Sequence, residues 1–150
     1  MTPLVIPSSL ARDIESAGVA AYPSECCGIL IGCDLGDRRA VERLLPMKNV
    51  FDAAEQYHRF TIDPLAQIEA EKSADAEGKL VLGYYHSHPD HPAAPSEYDR
   101  THVPPWSFYS HVIVSIRNGR PVDMTAWYLD EETESFKSLE LIVQSKPGSC

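Results

Sequence analysis

His86 and His88 stand two residues apart at the end of KLVLGYYHSH (79–88), and Asp99 follows within SEYDRTH (96–102). The apolar run before the histidines predicts a strand, and on a strand alternate side chains share a face, so both imidazoles point the same way. PDHPAAP (89–95) carries three prolines in seven residues and cannot be regular structure, so it turns the chain back. Ser96 then caps a short helix that carries Asp99 one turn in. Two imidazoles and one carboxylate are the donor set of a catalytic zinc site, which keeps a fourth position for water. The spacing therefore predicts a tetrahedral Zn2+ centre on His86, His88 and Asp99.

Singly, each residue has a plainer role. One strand histidine is more often structural than a ligand. Ser96 alone is an N-cap, and Asp99 alone is a first-turn carboxylate favoured by the helix dipole. The combination H-x-H-x7-S-x2-D carries the reading. No H-E-x-x-H is present, and His86-Ser87-His88 lacks the glutamate and the later P-C-x-x-C of a zinc deaminase.

This pattern, together with Glu25 in SECCGILIG (24–32), resembles the JAMM (MPN-plus, JAB-type) metalloprotease motif, in its compact prokaryotic form. The resemblance runs over essentially the whole chain. It implies a cytidine-deaminase-like, JAB/MPN-type α/β fold, with a mixed and largely antiparallel sheet flanked by helices. It also implies that His86, His88 and Asp99 hold zinc. By the same resemblance, Glu25 takes a proton from the metal-activated water and returns it to the leaving amine, while Ser96 hydrogen-bonds the oxyanion. The substrate it implies is a ubiquitin-like or sulfur-carrier protein of β-grasp fold, cut after a C-terminal Gly-Gly. Two other readings stand beside it: a non-catalytic scaffold of the same fold, and a RadC-like zinc hydrolase. Intact ligands count against the first. Asp90-His91, where that group has Ser-Gly, counts against the second.

The elements that must position these residues follow from local patterning. Pro7-Ser8-Ser9 offers a cap for a helix over LARDIESAGVAAY (10–22). CCGILIGCD (26–34) reads as a buried strand, Asp34 to Asp37 as a turn around Gly36, and RRAVERLLPM (38–47) as a second strand. Residues 48–57 are polar and irregular, a stretch that could border a channel for a substrate tail. Asp63-Pro64 opens a helix that Gly78 ends. Strands over 110–117, 121–129 and 135–143 close the chain, with Asn118-Gly119 as the turn of a hairpin. Trp106 and Trp127 are expected to supply core or partly buried area, and His58, His102 and His111 to be surface or packing residues. His91 falls within reach of the site mouth.

At 150 residues the chain fits one domain, 1–150. A net charge of −9 argues against a nucleic-acid-binding face, which needs clustered Lys and Arg. No apolar run reaches the length of a membrane span, and the N-terminal residues do not pattern as a signal peptide. Those features predict a cytoplasmic protein. Cys26, Cys27, Cys33 and Cys150 form no C-x-x-C pair and read as small buried hydrophobes in a reducing compartment.

Overall fold

The computed structural model describes residues 1–102, 106–146 and 150. Eight strands form one sheet: β1 (Leu4–Pro7), β2 (Cys27–Asp34), β3 (Arg39–Met47), β4 (Leu80–Pro89), β5 (Ser110–Arg117), β6 (Arg120–Asp130), β7 (Ser135–Leu139) and β8 (Leu141–Gln144). The helices are α1 (Ser8–Ala21), α2 (Pro64–Ala76) and the short α3 (Glu97–His102). Strand order is β7-β6-β5-β4-β2-β3-β1-β8. Four neighbouring pairs are antiparallel, while β4/β5, β1/β3 and β1/β8 are parallel, so the expected mixed, largely antiparallel sheet is observed.

Two departures from the sequence reading concern the sheet edges. LVIP (4–7) is a strand, paired with β3 on one side and β8 on the other. Four residues are too short for an alternation to register, and all four are buried. The single strand expected over 135–143 is split at Glu140. β7 pairs with β6, and β8 crosses to β1 at the opposite edge of the sheet. One residue separates β7 from β8, so the two edges approach each other and the sheet curls around α1. That helix touches β1, β4, β5, β6 and β8.

The sheet has two packed faces. On one, Ile14 of α1 packs with Leu30, Val41, Leu82, Tyr85, Val112 and Ile116 of the sheet. On the other, Ala70 of α2 packs with Ile62 and with Ile29, Ile31, Val81 and Tyr84 of the sheet. Burying each large aliphatic side chain contributes roughly 1.5–3 kcal/mol, which commits both faces.

Val81 and Tyr84 share the α2 face although they are three residues apart, because β4 bulges at Gly83. The register against β2 shifts between Leu30 and Ile31 at that point. Gly83 has φ 154, and a Cβ there would stand 1.8 Å from the Ser110 carbonyl oxygen, so only glycine fits. The bulge sets the phase by which Tyr84, His86 and His88 all face α2.

The helix starts are only partly as expected. Asp63 Oδ1 accepts from the Leu65 N–H at 3.1 Å with Pro64 at the first helical position. α1, however, begins directly at Ser8 with Pro7 in the cap position and no side-chain cap bond, two residues earlier than patterning placed it. β5 and β6 form the expected hairpin, with Asn118 and Gly119 at φ 50 and 77.

The cysteine reading needs correction. Cys33 and Cys150 form a disulfide with Cα atoms 5.7 Å apart. The last residue folds back to β2 and β3, where its backbone N–H meets Glu42 Oε1 at 3.2 Å, a contact between residues 108 apart that spacing rules do not register. Cys27 is a buried free thiol as expected, and Cys26 is half-buried. Trp106 is also misread: 57% of it is exposed. Among the described residues no helix is long and apolar enough to cross a membrane.

Candidate metal centre

His86 and His88 reach the α2 face near the C-terminal end of β4, and Asp99 comes to them from α3. The Nε2 atoms of His86 and His88 are 3.0 Å apart. Asp99 Oδ2 stands 3.4 Å from His86 Nε2 and 3.3 Å from His88 Nε2. A tetrahedral zinc with bonds of about 2.0–2.1 Å requires ligand atoms about 3.3 Å from one another. The three atoms therefore form one face of such a tetrahedron. All three residues are buried.

Each of the three side chains is oriented by a neighbour. His88 Nδ1 meets the Pro92 carbonyl oxygen at 2.9 Å. A carbonyl only accepts, so Nδ1 carries a proton and Nε2 is the nitrogen turned toward Asp99. The Phe60 ring stacks on His86 with centroids 4.5 Å apart. Asp99 Oδ2 accepts from the Ser96 N–H at 2.9 Å. Ser96 Oγ accepts from the Asp99 N–H at 3.0 Å, which is the N-cap the sequence predicted.

Glu25 comes from the segment between α1 and β2, and its backbone is fixed at both polar groups. Its N–H donates to the Gln56 carbonyl at 2.7 Å, and its carbonyl accepts from Asn49 Nδ2 at 3.1 Å. Asn49 also organises the segment the sequence showed only as irregular. Its Nδ2 reaches the Arg59 carbonyl, and its Oδ1 accepts from the Phe51 and Thr61 N–H groups. Ser87, on the opposite face of β4 from the two histidines, accepts from the Cys26 N–H at 2.8 Å and ties the Glu25 segment to the ligand strand. Asn49, Gln56 and Ser87 are site-building residues that no motif marked.

Glu25 is 4% exposed, and its Oε1 has no hydrogen-bond partner among the described residues. Ligand atoms of Glu25, His86 and His88 lie within 4.8 Å of one another. A buried carboxylate oxygen with no partner, facing two imidazoles, fits a site built around a cation.

The electrostatics agree with that geometry. Burial pushes the Glu25 carboxyl up to about 8, with the His88 and Arg59 charges opposing and the Asp99 charge adding. Burial would raise Asp99, but the charge and hydrogen bonds of His86 and His88 outweigh it and hold the group well below the usual carboxylate range. Burial lowers His86. For His88, burial is outweighed by Asp99 and the Pro92 carbonyl, and the net shift is upward. The two carboxyl groups are thus pushed in opposite directions, Asp99 held anionic beside the imidazoles and Glu25 raised by burial.

Two cavities flank the centre. One of about 330 Å³ is bordered by Glu25, His88, Ser96, Arg59, His91 and Tyr98. The other, about 210 Å³ and largely apolar, is bordered by Phe60, Ile62, Tyr84, Tyr98, Asp99 and His111. Tyr98 divides them, with the Arg59 guanidinium carbon 4.2 Å from its ring centroid. His91 reaches the site mouth as the sequence suggested. His58 borders the larger cavity, although it was expected to be a surface or packing residue. His111 is buried at the smaller one, where burial lowers its pKa to about 3.

Comparison with known proteins places the chain in a family. Residues 7–130 match the family described as prokaryotic homologs of the JAB domain. A Haloferax volcanii desampylase is 35% identical over 138 residues, 91% of this chain and 90% of that protein. A Thermus thermophilus protein named as a probable TtuB-protein conjugate cleaving protease is 35% identical over 96 residues, 64% of this chain. The chain spans 60% of that relative. A JAB1/MPN domain protein from Archaeoglobus fulgidus superposes with TM-score 0.55 at 19% identity, covering 95% of this chain and all of that one, a likeness of fold. From the family match, the 35% identity across nine-tenths of the desampylase and the shared fold, the chain belongs to the prokaryotic JAB-domain family.

Proposed function

We propose that the chain is a zinc metallopeptidase that hydrolyses the peptide or isopeptide bond following the C-terminal Gly-Gly of a ubiquitin-like or sulfur-carrier protein. The observation that carries this reading is the triangle of His86, His88 and Asp99 facing a buried, unpartnered Glu25 across a cleft that also holds Ser96. Relatives named as a desampylase and as a conjugate-cleaving protease support the substrate class.

His86, His88 and Asp99 hold the ion in this reading. Zinc supplies Lewis acidity, polarising a carbonyl oxygen and bringing the pKa of water towards ~7. Glu25, buried with its Oε1 unpartnered among the described residues, accepts the proton there and delivers it to the leaving amine. Ser96 Oγ already accepts from the Asp99 N–H, so its own O–H remains to donate to the oxyanion. The Asn49-built segment and Tyr98 shape the walls of the cleft. Glycines at the cleavage point suit this narrow site because a backbone without side chains can approach the metal closely.

The experiment is to incubate the zinc-loaded protein with a β-grasp carrier bearing a short extension after Gly-Gly and follow intact mass. Release of only the extension is expected, abolished by chelator and by Gly-Gly→Ala-Ala in the carrier. Digestion of unrelated unfolded proteins with the carrier left intact would overturn the substrate class.

A further inference from the structure

The turn between His88 and Ser96 contains Pro89, Pro92 and Pro95, which have no N–H to donate, so the segment cannot hold itself in a ladder. Within the turn the Ala94 N–H donates to the Pro92 carbonyl at 2.8 Å, and the other donors to its carbonyls come from outside it. Three successive carbonyls, of residues 91, 92 and 93, take side-chain donors from the strands beside the turn. Ser115 Oγ, from β5, donates to the His91 carbonyl at 2.5 Å. His88 Nδ1 takes the Pro92 carbonyl. Thr125 Oγ1, from β6, donates to the Ala93 carbonyl at 2.5 Å and itself accepts from Trp127 Nε1 at 2.8 Å.

The start of the turn is also pinned. Asp90, at φ 57, accepts from the Asn118 N–H at 2.9 Å and from Tyr22 Oη at 2.6 Å, while its own N–H donates to the Ile116 carbonyl. Ser115 is 1% exposed, and its hydroxyl is committed to the turn.

We propose that Ser115 and Thr125 are positioning residues of the metal centre, acting through the carbonyls of residues 91 and 93. The inference rests on His86, His88 and Asp99 being the zinc ligands. The Pro92 carbonyl fixes the His88 tautomer, and it is the carbonyl between the two that these hydroxyls hold. Releasing either neighbour lets that oxygen drift, and the His88 ring loses both its orientation and the proton assignment that frees Nε2. Thr125 sits one layer further out, with Trp127 orienting its hydroxyl so that the proton points at Ala93. Partners of this kind typically contribute 10- to 100-fold in metal affinity.

The test is zinc affinity, measured on the purified protein by competition with a chromophoric chelator, beside the melting temperature of the metal-free form. Ser115→Ala and Thr125→Val are expected to bind zinc about 10-fold or more weakly, and Thr125→Ser to restore affinity. Ser110→Ala is the control: it also removes a buried hydroxyl from β5, but one with no hydrogen-bond partner among the described residues, and it leaves zinc affinity unchanged. Parent-like affinity in both Ser115→Ala and Thr125→Val overturns the proposal, as does an equal loss in Ser110→Ala. If Thr125→Val does not fold, Ser115→Ala against Ser110→Ala decides. A parent that binds no zinc overturns the ligand assignment itself, an outcome distinct from zinc-binding variants that match the parent.

Discussion

Ser96 and Asp99 cap each other: the Asp99 N–H donates to Ser96 Oγ, and the Ser96 N–H donates to Asp99 Oδ2. The first bond starts α3, and the second aims a ligand oxygen at two imidazoles. Ser96→Ala should therefore have separable effects. Loss of a cap lowers stability by about 1 kcal/mol. Loss of an oxyanion donor lowers kcat by about 10²–10³. Denaturant melts and turnover on an extended carrier measure both. A loss of stability without a loss of kcat would reduce Ser96 to a cap.

The spacing of His86 Nε2, His88 Nε2 and Asp99 Oδ2 fits a single ion. Purified protein should contain one zinc per chain, removable with chelator and absent from His88→Ala. Elemental analysis checks it. Removing zinc should also lower the melting temperature, because an ion that binds only the folded chain stabilises it by mass action.

The sequence brings His86, His88 and Asp99 to notice because their types and spacing are local: two strand histidines of one parity, then a cap and a first-turn carboxylate. It does not show Glu25 by any local rule, since sixty residues separate it from His86 and only the antiparallel pairing of β2 with β4 brings Cys27 opposite His86. Helix and hairpin punctuation at Asp63-Pro64 and Asn118-Gly119 survives in the fold for the same local reason. The Gly83 bulge, the jump of β8 to the far edge and the Cys33–Cys150 bond depend on contacts between distant segments. Asn49 and Gln56 hold the Glu25 backbone through side-chain amides in a segment without periodicity, so patterning has nothing to detect there.

His111 gives a pH dependence that does not involve turnover. Burial, with a smaller contribution from the His86 charge, lowers its pKa from 6.5 to about 3. The unfolded chain binds this proton below 6.5, whereas the folded chain stays neutral until about 3. Stability contributed by this site is thus complete above 6.5 and falls as pH drops, by up to about 1.4 kcal/mol per unit. His111→Gln should flatten the fall in unfolding free energy between pH 6.5 and 4.5. Parallel curves for variant and parent would mean that the imidazole protonates in the folded state.

Glu25 has the opposite sign and joins stability to function. Burial raises its pKa from 4.5 to about 8, so in the metal-free protein the folded chain holds a proton that the unfolded chain releases above 4.5. The parent therefore loses stability as pH rises from 4.5 to 8, and Glu25→Gln, which cannot ionise, does not. The variant should match the parent at pH 4 and exceed it by about 2 kcal/mol at pH 7, a figure below the full linkage value because opening and water entry relieve part of the burial. It should keep its zinc while turnover falls by about 10²–10⁴, the usual contribution of a general base. Unfolding free energies at the two pH values, zinc content and kcat separate the alternatives. Loss of zinc in Glu25→Gln would make Glu25 a ligand. A metal-free variant no more stable than the parent at pH 7 would mean that the carboxylate is already solvated or paired in the folded chain, and that its role as a buried base is wrong.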